Sequence, residues 1–530
     1  MYTLSSKLKT FSLILMVIGI LGIGYGFLTA PQTIQDVEAI LASESHGGHG
    51  EGHAQPQHEI KDDTEIDNPA KYVTGGETHS EGEGVHDATA AGLNEQTGTP
   101  AAVDSNSVAT TTVGSAEDHA AHAATAETHP APAQTEAHHQ AAGNDTHGSE
   151  ADAHAEHQEH LEHVLHQLQN KPWAAVYVAC IFFMLISLGV LAFYAIQQVS
   201  QAGWSPVLFR VMQGITAYLL PGSIIFFILL LLSAFHINHL FVWMAEGTTT
   251  VGHENYDKMI AGKSGYLNVP FWLIRAAIFL IGWNLYRWYS RRNCLAQDTA
   301  IDDSPYKRNF KLSAGFLVFF IVTESIMSWD WIMSVDPHWF STLFGWYVFA
   351  SFFVSAITVI CLVSLYLKGK GYLEYVNTSH IHDLAKFIFG FSVFWTYLWF
   401  AQFMLIWYAN IPEEVTYFVT RIEHYNLPFF GSVVMNFVFP ILILINTDFK
   451  RITWILVMAG VVVLCGHYID FFNMIMPSTV GDRWFIGIPE IGSVLFFLGL
   501  FIFVVFSALT KAPLLPKRNP FIEESKHFHY

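Results

Sequence analysis

Stretches of about twenty apolar residues recur along this 530-residue chain, and nothing else in it restricts the fold as strongly. A helix of that length is about 30 Å long, the thickness of a bilayer's hydrocarbon core. Ten such stretches can be read: about 10–29, 173–197, 211–234, 270–289, 310–334, 343–367, 384–408, 427–446, 452–473 and 488–509. Only 13% of residues are charged and 52% are hydrophobic, so an ordinary soluble domain is excluded. The expected fold is an all-α membrane protein with about ten transmembrane helices: two four-helix bundles plus peripheral helices.

The net charge of −19 is unevenly distributed. Residues 31–170 hold 25 Asp and Glu against Lys61 and Lys71, a balance of −23; the remainder balances at +4. The acidity therefore describes one segment and says nothing about a substrate. That segment also holds 17 of the 27 histidines and is rich in Ala, Gly and Thr. It cannot bury enough apolar surface to offset chain entropy, so disorder is expected over 31–170. Near its end, His154, His157, His160, His163 and His166 recur every third residue. On a helix they would form one slowly turning face on which adjacent pairs could hold a divalent ion. A polar, pH-buffering linker is the preferred reading, since fixed metal sites need supporting partners that such a loop lacks.

Lys and Arg near the span ends give the orientation. Arg210, Arg287–Arg292 with Lys307 and Arg308, Lys368 and Lys370, Lys450 and Arg451, then Lys511, Lys517 and Arg518 fall on alternate connections. The alternation puts both termini in the cytoplasm. The first span follows Lys7 and Lys9 and is expected to be a retained anchor rather than a signal peptide. The chain divides into an anchor (1–30), the acidic periplasmic loop (31–170), a first bundle (171–335), a second bundle (336–475), and a last span with cytoplasmic tail (476–530). Asp330 and Asp470 each precede a proline by seven residues (Pro337 and Pro477) near the outer end of a span. This faint repeat is consistent with two related bundles.

Ionisable groups in or beside hydrocarbon are costly and need a partner or a function. On the outer side these are His236, His239, Asp330, Asp336 and His338, candidates for quinone binding or a proton exit. Glu324 lies deeper, and with Arg275, His467 and Asp470 it forms the proton-relay candidates. His467 and Asp470 share one helix face at i, i+3. Helix capping, interfacial ion pairing and interhelical hydrogen bonding are the structural alternatives. Gln402 and Asn436 read as interhelical hydrogen bonders. The four tryptophans Trp329, Trp331, Trp339 and Trp346, and the run from Phe394 to Tyr408, read as interfacial or lipid-facing anchors. The four cysteines form no CxxC or CxxCH motif, so covalent haem and iron–sulfur ligation have no sequence support.

Two long motifs carry a resemblance: SWDWIMSVDPHWFSTLFGWYVF (Ser328 to Phe349) and HDLAKFIFGFSVFWTYLWFAQFMLIWYANIPEE (His382 to Glu414). With the surrounding residues 172–510 they resemble the alternative complex III family, specifically the second of its two large membrane subunits, related to the polysulfide-reductase membrane anchor. The N-terminal anchor and His-rich insertion resemble versions from Bacteroidetes-like bacteria, where the quinol is menaquinol. The resemblance implies a multi-pass subunit of the bacterial inner (cytoplasmic) membrane in a quinol:cytochrome c oxidoreductase. It implies menaquinol oxidation at the outer side, with proton release or translocation and no catalysis by the isolated chain. Haems and iron–sulfur clusters would lie in partner subunits: a multihaem cytochrome c, an iron–sulfur protein and a homologous membrane subunit holding the best-supported quinol site. A terminal oxidase is a further expected partner, lipid surrounds the spans, and no nucleic acid is involved. Two other classes stay open. One is a secondary transporter of metal or another ion; the other is a quinone-linked anchor for a molybdenum-type reductase, distinguished by its partner.

Overall fold

The computed structural model describes residues 2–47 and 146–529. Among these the regular structure is entirely helical. The α-helices in chain order are α1 (Ser6–Thr29), α2 (Ile34–Gly47), α3 (Thr146–Val199), α4 (Phe209–Ile215), α5 (Leu219–Ala234), α6 (Lys258–Lys263), α7 (Val269–Gln297) and α8 (Ser304–Trp331). They continue with α9 (Phe344–Gly369), α10 (Thr378–Ala409), α11 (Pro412–Glu423), α12 (Asn426–Val433), α13 (Phe439–Leu444), α14 (Thr453–Val480), α15 (Ile488–Leu509) and α16 (Ile522–Lys526). Among the described residues ten helical stretches are long and apolar enough to cross a bilayer. They match the ten expected, with α4–α5 and α12–α13 each forming one span. The chain is an all-α, multi-span membrane protein.

Two helices form the centre. Every residue of the apolar window of α3 is buried, and nearly all of that of α9. A Cβ added to Gly189 of α3 would lie 2.7 Å from Ala356 Cβ and 3.1 Å from the Phe352 carbonyl oxygen on α9, so these helices approach at backbone distance. The peripheral helices turn apolar side chains outward: Ile274, Ile278 and Ile281 on α7, and Val318 and Ile321 on α8, are exposed. In a bilayer these faces meet lipid.

The first span packs as part of the bundle. Ser12, Gly19, Gly22 and Gly26 form its buried stripe, while Ile14, Ile18 and Leu21 are exposed. A Cβ on Gly22 would lie 2.9 Å from the Gly492 Cα of α15, and one on Gly499 would lie 2.7 Å from the Ser12 carbonyl oxygen. Small residues on both helices let the backbones touch, which drives association where lipid removes the hydrophobic incentive.

Both termini lie at one end of the bundle. Thr3 Oγ1 is 3.3 Å from Tyr372 Oη, and Asn377 Nδ2 donates to the Phe528 carbonyl at 2.5 Å. This end carries the basic connections. The opposite end, called the aspartate end below, carries the 235–268, 332–343, 410–425 and 481–487 connections.

The segment expected to be disordered over 31–170 is helical at both margins. The α3 helix begins at Thr146, far before the membrane span, and α2 packs against it: Val37 fits between Leu161 and Val164, with Ile34, Leu41, Leu165 and Leu168 around them. Apolar residues at spacings of three and four on both partners make this a small core in its own right. The acidic composition of the whole segment conceals these short patterns. Residues 48–145 lie outside the described residues, as does the side chain of His154. His163 Nδ1 lies 3.3 Å from Gln167 Nε2 on the same helix. Among the described residues no group of three potential ligands is placed to hold a metal ion.

The tryptophans expected at the interface divide. Trp331 and Trp339 are core residues, 0% and 3% exposed, whereas Trp346 is 49% exposed. Trp331 packs on Phe226 at 4.8 Å and Trp339 stacks on Tyr417 at 4.0 Å. Position 331 lies one turn beyond Met327 on the buried face of α8, and the chain turns inward after it. In α10, Tyr397, Phe400, Trp407 and Tyr408 are exposed as expected, whereas Trp395 is fully buried and Phe394, Trp399 and Phe403 pack partly buried against the core.

Candidate functional site

Two carboxylates, both 0% exposed, sit in the two halves of the aspartate end, and their surroundings differ in charge. Asp330, near the end of α8, is clamped by Arg275 of α7. Arg275 Nε donates to Asp330 Oδ2 at 2.6 Å and Nη2 to Oδ1 at 2.9 Å, a two-point guanidinium–carboxylate pair. The Arg275 Nη1 group donates to the Tyr266 carbonyl at 3.1 Å, and the guanidinium lies 4.0 Å from the Tyr266 ring and 4.2 Å from the Phe271 ring. Trp272 Nε1 donates to the Asp330 carbonyl at 2.8 Å, and Tyr177 Oη donates to that of Trp331 at 2.8 Å. The pair thus ties α3, α7 and α8 together, and its net charge is zero. Sequence left the partner of Arg275 open; the structure assigns it to Asp330.

Asp470, on α14, has neutral partners. Its Oδ1 accepts from Tyr347 Oη of α9; its Oδ2 accepts from Ser351 Oγ of α9 at 2.7 Å and from Trp395 Nε1 of α10 at 2.9 Å. Ser351 Oγ also lies 3.0 Å from His467 Nδ1. Since the single hydroxyl proton of Ser351 goes to Asp470, the Ser351–His467 bond requires Nδ1–H as donor. His467 Nε2 is buried without a hydrogen-bond partner. His467 Nδ1 to Asp470 Oδ2 is 4.0 Å, so Ser351 bridges them. The result is a continuous chain, Tyr347–Asp470–Ser351–His467, on α9 and α14, to which neither Arg nor Lys donates a hydrogen bond.

A small cavity of about 10 Å³ adjoins Tyr347, at the threshold for one water molecule. It is lined by Gln402, Arg421 and Asn473 among others. Each contributes a buried polar atom with no hydrogen-bond partner: Gln402 Nε2, Arg421 Nη2 and Asn473 Oδ1. Arg421 is held by its other nitrogens, Nε to the Asn473 carbonyl at 3.0 Å and Nη1 to the Tyr417 carbonyl at 2.7 Å. A polar, water-sized space next to a buried Tyr–Asp pair is the arrangement a proton needs to reach or leave it.

The remaining candidates do not join either carboxylate. His338 is exposed and its Nε2 lies 2.5 Å from Asp257 Oδ2, while Asp257 also caps α6 by accepting from Met259 and Ile260 N–H at 2.7 and 3.0 Å. Those bonds, that from His338 first, hold the Asp257 carboxyl below its usual range. Asp336 is half-buried in the same connection. His236 is exposed in a left-handed turn with φ 56°. His239 is held through its backbone by Asn170, with the rings of His166 and His239 5.8 Å apart. Among the described residues no hydrogen bond or ion pair joins any two of His236, His239, Asp330, Asp336 and His338, although His236 lies close enough to His239 to repel it. Glu324, 4% exposed, accepts from Ser328 Oγ at 3.2 Å and Ser325 Oγ at 3.3 Å on its own helix.

Gln402 and Asn436, expected to hydrogen-bond between helices, do so at neither Gln402 Nε2 nor either Asn436 side-chain atom. Gln402 faces the small cavity, and Asn436 lies against Gly466, where a Cβ would strike its Oδ1. Sequence reasoning missed Tyr347, Ser351, Trp395 and Arg421. The signal for the first two was the stripe Tyr347, Ser351, Ser355, Thr358 along a fully apolar helix.

The cavity beside Tyr347 is far smaller than the several hundred Å³ of a typical cofactor pocket. The chain matches no family model and no curated protein significantly.

Proposed function

We propose that this chain is the proton-handling membrane subunit of a respiratory quinol-oxidising complex, with quinol, haems and iron–sulfur clusters held by partner subunits. The supporting observation is the buried carboxylate Asp470, which accepts its hydrogen bonds from hydroxyl and indole donors rather than from Arg or Lys and is linked through Ser351 to a buried histidine. A carboxylate neutralised by an arginine, as Asp330 is by Arg275, keeps its charge and serves as a fixed joint. One held only by neutral donors can exchange a proton with small change in its surroundings. In this role the cavity lined by Gln402, Arg421 and Asn473 connects Tyr347 to the aspartate end, and the Ser351–His467 pair extends the path inward along α14. The resemblance of Ser328–Phe349 and His382–Glu414 to alternative complex III supplies the redox setting and the expected bacterial inner membrane.

The test is Asp470→Asn in the assembled complex in membrane vesicles, with electron flux and proton release measured together. Proton release per electron is expected to fall about tenfold, and Asp470→Glu to restore much of it, while assembly is retained. Unchanged proton release in Asp470→Asn would overturn the assignment.

A further inference from the structure

At the end carrying the termini, a cleft of about 630 Å³ opens between α5, the last turns of α7 and the end of α15. Arg287, Arg291, Arg292 and Lys511 line one part of it; Leu220 and Phe503 line another. No carboxylate lines the cleft. Arg287 and Arg291 are one helical turn apart on the same face of α7, and Arg287 Nε is buried without a hydrogen-bond partner. Four cations facing one cleft repel each other unless an anion sits among them.

The position says which anion. Arg287 lies eighteen residues beyond Val269, ~27 Å along α7, which puts its guanidinium close to the edge of the ~30 Å hydrocarbon core. The apolar wall of Leu220 and Phe503 runs from there toward the membrane interior, along outward-facing parts of α5 and α15. A free phosphate has no use for that wall; a phospholipid places its headgroup among the cations and an acyl chain on the wall. We infer that this cleft is a binding site for an anionic phospholipid, with Arg287, Arg291 and Lys511 holding the headgroup phosphate. The site is independent of the proton path, which occupies the opposite end of the bundle.

The experiment uses the full-length protein purified in detergent, stripped of lipid, and titrated with phosphatidylglycerol, phosphatidylcholine or inorganic phosphate. Bound lipid is read by mass spectrometry of the intact protein. Phosphatidylglycerol is expected to bind at least tenfold more tightly than phosphatidylcholine. Arg287→Gln/Arg291→Gln should remove most of that preference. Should that double variant fail to fold, Lys511→Gln, just beyond the end of α15, should lower the preference about threefold. Equal binding of the two lipids by the unmodified protein, or displacement of phosphatidylglycerol by millimolar phosphate, would overturn the inference; so would an unchanged preference in a folded variant.

Discussion

The Arg275–Asp330 pair allows a quantitative test of its role as a fixed joint. Replacing Arg275 with Met keeps most of the apolar stem and removes the guanidinium, leaving a carboxylate that is 0% exposed with no cation. With charge centres about 4 Å apart and an effective dielectric near 20, the lost attraction is ~4 kcal/mol. Breaking one side of a buried pair costs a similar ~3–5 kcal/mol, because the stranded charge dominates. The double variant Arg275→Met/Asp330→Asn has no stranded charge. It should lose only the bond to the Tyr266 carbonyl and the contacts with the Tyr266 and Phe271 rings, together ~1–2 kcal/mol. The double variant should therefore be about 2–3 kcal/mol more stable than Arg275→Met alone. Denaturation of the detergent-solubilised protein, followed by fluorescence of its buried tryptophans, provides the measurement. If Arg275→Met and the double variant are equally destabilised, the carboxylate was not held as a charged partner, and the contrast drawn between Asp330 and Asp470 fails.

Two further outcomes are expected. Gly19→Leu, whose Cβ would strike the Phe496 backbone, should push α1 from α15 and cost ~1–3 kcal/mol by overpacking, whereas Gly24→Leu, which faces open space, should be tolerated; melting temperatures compare the two. The other outcome concerns pH. Burial first, then repulsion from His166 and His236, lowers the pKa of His239, so the folded ring resists protonation. Above its unfolded value of about 6.5 both forms are neutral and nothing changes. As pH falls through that value the opened form takes up the proton first, so local stability declines. Hydrogen exchange of the 235–242 connection, corrected for intrinsic rate, should accelerate at pH 5.5 relative to 7.5, and His239→Gln should reduce the difference.

The number of membrane helices was legible in the sequence because it depends on apolar length alone, a property summed along the chain. The same holds for the clustering of basic residues at one end. Which ionisable groups matter could not be read in that way. Asp330 and Asp470 look alike in sequence, each near a proline at the end of an apolar span. Only the packing of α7 on α8 brings Arg275 to the first, and only that of α9 and α10 on α14 brings Tyr347, Ser351 and Trp395 to the second. Hydrogen bonds between helices join residues far apart in the chain: Tyr347 and Asp470 are 123 positions apart, and Tyr177 and Trp331 154. No local pattern encodes such a distance, so the carboxylate paired with Arg275 and the one held by neutral donors are distinguished only in the tertiary structure.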